Sequence, residues 1–147
     1  MAENPVERGE GGHDDGYTVG ELQYLLQAYQ EQYSVLTREL KESSDAVMEI
    51  SNAIEALDSK STIASKESLV PAGAGLYFYA KTGASESVVV NIGGRLMIET
   101  DTASAKEIMN RRFNAQRENM NRVSHQMKQV EDTIYGISYR IDGLTAD

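Results

Sequence analysis

Few residues in this chain have the types and spacing that chemistry requires. There are two histidines and no cysteine, so thiolate catalysis, disulfides and Cys-based zinc sites are excluded. His13 sits beside Asp14 and Asp15 in a Gly-rich acidic stretch. A metal there would need ordered ligands that such a stretch does not offer. His125 falls on the flank of a helical repeat, beside Ser124, and reads as a solvated or seam-edge side chain. Gly73-Ala74-Gly75 and Gly93-Gly94 share glycine content with phosphate-cradling loops. Neither carries the Lys-Ser/Thr of a P-loop or opens a helix after a strand, so both read as turns. The carboxylates are plentiful but lie on solvated helix faces rather than as an acid/base pair. No catalytic residue, metal ligand or cofactor site is assigned, and an enzyme is the least favoured class.

The elements say more. Two apolar seams each step 4, 3, 4, 3. The first reads Leu22, Leu26, Tyr29, Tyr33, Leu36, Leu40, Ser43, Val47, Ile50, Ile54, Leu57. The second reads Met109, Phe113, Gln116, Met120, Val123, Met127, Val130, Ile134, Ile137, Ile141, Leu144. This is the a/d spacing of a left-handed coiled coil. At ~1.5 Å rise per residue each seam spans roughly 55 Å. Helices are expected over 18–62 and 102–144. Thr18 and Glu21 form a capping-box pattern at the first. Asp101 or Thr102 caps the second, with Ser104 and Glu107 as an alternative start.

Between them the character changes. Leu76-Tyr77-Phe78-Tyr79 and Val88-Val89-Val90 favour strands. Four short strands near 67–71, 75–82, 86–91 and 95–100 make two β-hairpins. The fold class is therefore α+β: a long antiparallel two-helix coiled coil joined by two central hairpins. Residues 1–17 are expected as a disordered acidic tail and 18–147 as one domain. The antiparallel register pairs Leu57 with Met109, Val47 with Met120, Leu40 with Met127 and Leu26 with Ile141. It sets Ser43 opposite Val123 and Gln116 opposite Ile50, as weak spots or register devices.

Two surfaces stand out. The hairpins cannot bury both faces or pair all edges alone. Leu69, Val70, Leu76, Tyr77, Phe78, Tyr79, Val88, Val89, Val90, Ile92 and Met97 are therefore the expected oligomer interface. Off the seams, residues 30–57 and 109–133 hold Val35 and Met48 as large apolar side chains, whereas 17–29 and 134–147 hold Tyr17, Tyr24, Leu25, Tyr135 and Tyr139 in addition to Val19. Those five exceed what a two-helix seam can take. An apolar patch where the helix ends meet suggests binding to apolar surface elsewhere. The competing reading is that these residues tighten a frayed end or join a helix bundle.

The net charge of −9 disfavours nucleic acid and anionic membrane as partners. No apolar run approaches the ~20 residues that span a bilayer. The N-terminal stretch has no apolar leader core. With no cysteine, the expected location is cytoplasmic.

The stretch Glu67-Ser68-Leu69-Val70-Pro71-Ala72-Gly73-Ala74-Gly75-Leu76-Tyr77, then Val88-Val89-Val90-Asn91-Ile92-Gly93-Gly94-Arg95 and Glu99-Thr100, resembles the α-type subunit of the prefoldin family. The resemblance covers residues 18–147. It implies a hexamer of two alpha and four beta-type subunits, whose hairpins form a β-barrel platform bearing six coiled coils. It further implies an ATP-independent chaperone that binds non-native client proteins at the coil tips and passes them to a group II chaperonin. The tip then corresponds to Tyr17, Leu22, Tyr24, Leu25, Leu26, Tyr135, Tyr139, Ile141 and Leu144. The rival is a structural scaffold docking a fixed helical partner. The acidic tail departs from the family pattern.

Overall fold

The computed structural model describes residues 13–14, 16–83 and 87–146. Most of the expected tail, residues 1–12 and 15, lies outside the described residues. The elements are β1 (His13–Asp14), β2 (Tyr17–Thr18), α1 (Val19–Ile63), β3 (Glu67–Gly73), β4 (Leu76–Lys81), β5 (Ser87–Gly93), β6 (Leu96–Asp101) and α2 (Thr102–Thr145). Two long helices thus enclose two antiparallel hairpins, β3–β4 and β5–β6. One difference falls at the start. Tyr17–Thr18 pairs with His13–Asp14 instead of continuing the tail, because Gly16, at φ 87°, reverses the chain at little steric cost.

Local chemistry fixes the helix starts. Thr18 N donates to Glu21 Oε1 at 2.9 Å, and Glu21 N donates to Thr18 Oγ1 at 3.0 Å, a reciprocal capping box. At α2 the choice falls on Asp101: Ser104 N donates to Asp101 Oδ1 at 2.7 Å and Ser104 Oγ donates to Oδ2 at 3.2 Å. Ser104 is therefore the donor that is capped, not a cap itself. The chain leaves α1 through Ser65, whose φ of 66° turns it so that Ser65 N reaches Thr82 O at 2.7 Å. That bond ties the exit of α1 to the end of β4.

The two hairpins are built alike. Each shifts register before its turn, between Pro71 and Gly73 in one and between Asn91 and Gly93 in the other. At the second turn Gly93 N donates to Asn91 Oδ1 at 2.8 Å. Gly93 and Gly94 lie at φ 142° and 54°, where a side chain would be strained. The glycine-rich stretches are turns in the structure.

The chain divides into two compact units: the described parts of Met1–Ser44 with Glu118–Asp147, and Asp45–Arg117. Both helices contribute to both units. In the first unit Leu36, Val123 and Val130 form a buried cluster with Tyr29, Tyr33, Leu40, Met127 and Ile134 packed on it. All eight are seam residues, and burying an aliphatic side chain contributes about 1.5–3 kcal/mol. Pairing is antiparallel: as α1 advances from Glu39 to Ser43, its α2 neighbours recede from Arg122 to Asn119. The register differs from the expected one. Ser43, which is buried, lies beside Asn119, whose Nδ2 donates to Ser43 Oγ at 2.6 Å, rather than opposite Val123. The displacement is about one seam layer. Arg122 donates to Asn119 Oδ1 and meets Glu39 Oε2 at 3.2 Å. A polar string from Glu39 to Ser43 thus crosses the seam and satisfies the buried hydroxyl there. In the second unit Lys106 Nζ pairs with Asp58 Oδ1 at 2.6 Å, and Arg112 Nη2 donates to the Asn91 carbonyl at 2.6 Å.

Candidate functional site

Two sets of residues remain uncovered. The first is at the start of α1 and the end of α2. Tyr24, Tyr135 and Tyr139 are 74, 72 and 81% exposed, and Tyr17 is exposed as well. Tyr24, Tyr135 and Tyr139 are helical and off the seam, so they flank the helix contact rather than fill it; Tyr17 lies in β2. Leu25, Leu26, Ile141 and Leu144 are half-buried. Leu22 corrects the expectation: it is fully buried, a seam residue that supports the surface and presents nothing to a ligand. Its position on the a/d stripe outweighs its closeness to the helix end.

The structure groups these residues. Tyr17, Tyr24 and Leu25 line one groove with Thr18, Gly20 and Glu21. Tyr135 lines another with Gln30, Tyr33, Glu131, Ile134 and Ser138. Tyr139 stands apart from both. The second groove brings residues of early α1 beside residues of late α2, as the antiparallel reading requires. Tyr33, Gln30, Glu131 and Ser138 are functional candidates that seam reasoning missed. Tyr33 carried a signal, since a seam tyrosine must keep its hydroxyl near a polar partner or water and so stays at the margin of the core.

The second set is the hairpins. In β3–β4, Leu69, Val70, Leu76, Tyr77, Phe78 and Tyr79 are all exposed. Cross-strand partners Leu69 and Tyr79 lie on one face and Val70 and Phe78 on the other, so both faces are bare. β5–β6 differs. Val88 pairs with Thr100 and Val90 with Ile98; Val90 is 5% exposed and the other three are half-buried. Val89, Ile92 and Met97 are exposed, as is Leu96, which the sequence reading did not single out. Val90 is therefore corrected from the expected interface to the chain's own interior.

Charge is perturbed at the α2 cap. The Ser104 backbone N–H, then the Ser104 hydroxyl, holds the Asp101 carboxyl below the usual aspartate value, against a smaller upward push from burial. No group of three or more His, Cys, Asp or Glu side chains is placed to hold a metal among the described residues. No described helix is long and apolar enough to cross a membrane.

These two surfaces, on a helix–hairpin–hairpin–helix frame, define a coiled-coil assembly subunit. The family profile described as "Prefoldin subunit" matches residues 29–146, and the chain belongs to the prefoldin family. Prefoldin is a chaperone family, not an enzyme family. Prefoldin subunit alpha of Methanothrix thermoacetophila is 33% identical over 71% of this chain and 69% of its own length. The alpha subunits of Methanoregula boonei (27% identical, 87% and 84% covered) and Thermofilum pendens (29%, 71% and 92%) are also similar. Among solved structures, filamentous PFD from Methanocaldococcus jannaschii superposes with a TM-score of 0.69 at 18% identity, over 80% of this chain and 98% of that one. The prefoldin beta subunit from Thermococcus strain KS-1 gives 0.63 at 15%, over 88% and 94%. The curated relatives are of the alpha type that the central stretch resembles.

Proposed function

We propose that this chain is the alpha-type subunit of a prefoldin hexamer, two alpha with four beta-type subunits, that holds non-native client proteins without ATP. Residues 18–147 act as its single domain, in the cytoplasm, and a group II chaperonin receives the client. The hairpins supply the platform: β3–β4 has two bare apolar faces, whose exposure to water is unfavourable, and open edges that partner strands could pair with. The observation that carries the holding role is the set of exposed tyrosines at the helix ends. Tyrosine offers broad apolar contact with few rotatable bonds and a hydroxyl that tolerates water. Each contact is weak, and several subunits grasping one unfolded chain would add by multivalency. Covering exposed apolar segments in this way competes with aggregation and needs no hydrolysis.

The test is removal of residues 1–28 and 138–147 from the chain co-expressed with a beta-type partner. Native mass spectrometry is expected to show the intact assembly, and suppression of aggregation of unrelated denatured proteins is expected to disappear. Protection equal to that of the full chain would overturn the assignment. Failure of the full chain to protect any unrelated protein would point instead to a scaffold with a fixed partner.

A further inference from the structure

Three grooves in the unit that carries the helix ends share one composition. The first, of about 360 Å³, is lined by Tyr33, Tyr135, Glu131 and Ile134 among others. The second, of about 470 Å³, holds Tyr17, Tyr24 and Glu21. The third, of about 190 Å³, holds Tyr24 and Glu31. Each joins tyrosine to one glutamate, and none is lined by Lys or Arg. A groove at the start of α2, beside Ala103, Ser104, Lys106, Glu107 and Asn110, has the opposite character, with a cation and no aromatic ring. The wider surroundings agree. Residues 16–33 and 131–146 carry Glu21, Glu31, Glu131, Asp132 and Asp142 against Arg140, although Lys128 pairs with Asp132 at 3.3 Å.

This composition selects its occupant. An acidic side chain would meet like charge in every groove. A purely apolar one would fill the ring surface but draw water away from the carboxylate without replacing its hydrogen bonds. A lysine or arginine satisfies both: its methylene stem lies along tyrosine or isoleucine, and its head meets a ring face and a carboxylate together. Glu21 spends Oε1 on the α1 cap, and its second oxygen remains for a ligand. We propose that these grooves take Lys and Arg side chains, so that the surface prefers non-native segments in which cations are interspersed among apolar residues. This rests on the client-holding reading above and adds the class of segment held.

The experiment uses the full chain in complex with its beta-type partner and three fluorescent peptides of identical apolar sequence. One bears Lys, one Gln and one Glu at the same interspersed positions, and binding is followed by anisotropy. The Lys peptide is expected to bind at least about fivefold more tightly than the Gln peptide, the increment of a few exposed cation–ring contacts. The Glu peptide is expected to bind more weakly than either. The Lys preference should shrink as salt rises from about 50 to about 500 mM, as screening requires. In the doubly substituted chain Glu31→Gln, Glu131→Gln, which leaves the Glu21 cap intact, the Lys-to-Gln ratio should fall towards one. Equal binding of the Lys and Gln peptides, or a Lys preference undiminished in the double variant, overturns the inference while leaving client holding in place. No binding by any of the three overturns both.

Discussion

The exposed tyrosines and the exposed hairpins are both apolar surface left to water, but their backbones are in opposite conditions. At Tyr24, Tyr135 and Tyr139 the backbone N–H and C=O groups lie within α1 or α2 and bond along the helix, so these residues offer side chains alone. On β3 and β4 the outer edges still present backbone donors and acceptors, and apolar side chains cover both faces. An open edge templates a strand of defined register and so favours a geometrically fixed neighbour. A helical surface of tyrosines imposes no register on what it touches. On the proposed reading the same chain carries a fixed interface and an indiscriminate one, because secondary structure decides whether the backbone takes part in recognition.

The sharpest way to break this contrast is at β3–β4. Replacing cross-strand partners with like charges, Val70→Asp with Phe78→Asp, puts two carboxylates side by side on a face meant for burial. The expected outcome by native mass spectrometry is loss of assembly with the beta-type partner, while circular dichroism still reports the helices. Assembly that survives would show that this hairpin is not an interface.

A smaller effect sharpens the other side. Gly136 lies inside α2 with open space where a Cβ would go. Gly136→Ala should stabilise the helix by about 1 kcal/mol, seen as slower amide exchange around Tyr135 and Tyr139. Unchanged exchange there would mean that packing, not the glycine, sets the mobility of this end.

The smallest effect concerns Asp101, where β6 hands over to α2. Its folded carboxyl is held low by Ser104, so its stabilising contribution is present above the ordinary aspartate value near ~3.9. That contribution is lost as pH falls through the lowered value. Asp101→Asn keeps an acceptor but cannot titrate. Urea midpoints taken at about pH 6 and about pH 3 should therefore fall further for the native chain than for the variant. Parallel falls would remove Asp101 from the acid response.

Much of this was legible in the residues, for reasons that also mark where legibility ended. The seams are periodic, and the hairpins are β-branched and aromatic runs bounded by glycine turns, which together separate helix from strand. The capping box at Thr18 and Glu21 is local chemistry and needs no tertiary knowledge. The register was not legible, because a seam repeating 4, 3, 4, 3 matches its partner almost equally well at each layer. The polar string from Glu39 through Arg122 and Asn119 to Ser43 identifies the layer adopted, and three of its four members lie off the seam. The exposed tyrosines were legible as residues exceeding the capacity of a seam. Leu22 was misplaced because nearness to a helix end was weighed above its stripe. The covered face of β5–β6 could not be read, since Val88-Val89-Val90 gives no alternation of polarity to say which side turns inward.

The central claim is that holding and assembly belong to separate surfaces, and the direct measurement is a triple substitution, Tyr24→Ser with Tyr135→Ser and Tyr139→Ser, in the chain assembled with its beta-type partner. The mass of the complex should stay the same, and the concentration needed to keep an unrelated denatured protein from aggregating should rise by about tenfold or more as each subunit loses its ring contacts. Undiminished protection by the intact complex, or collapse of the complex itself, would contradict the account.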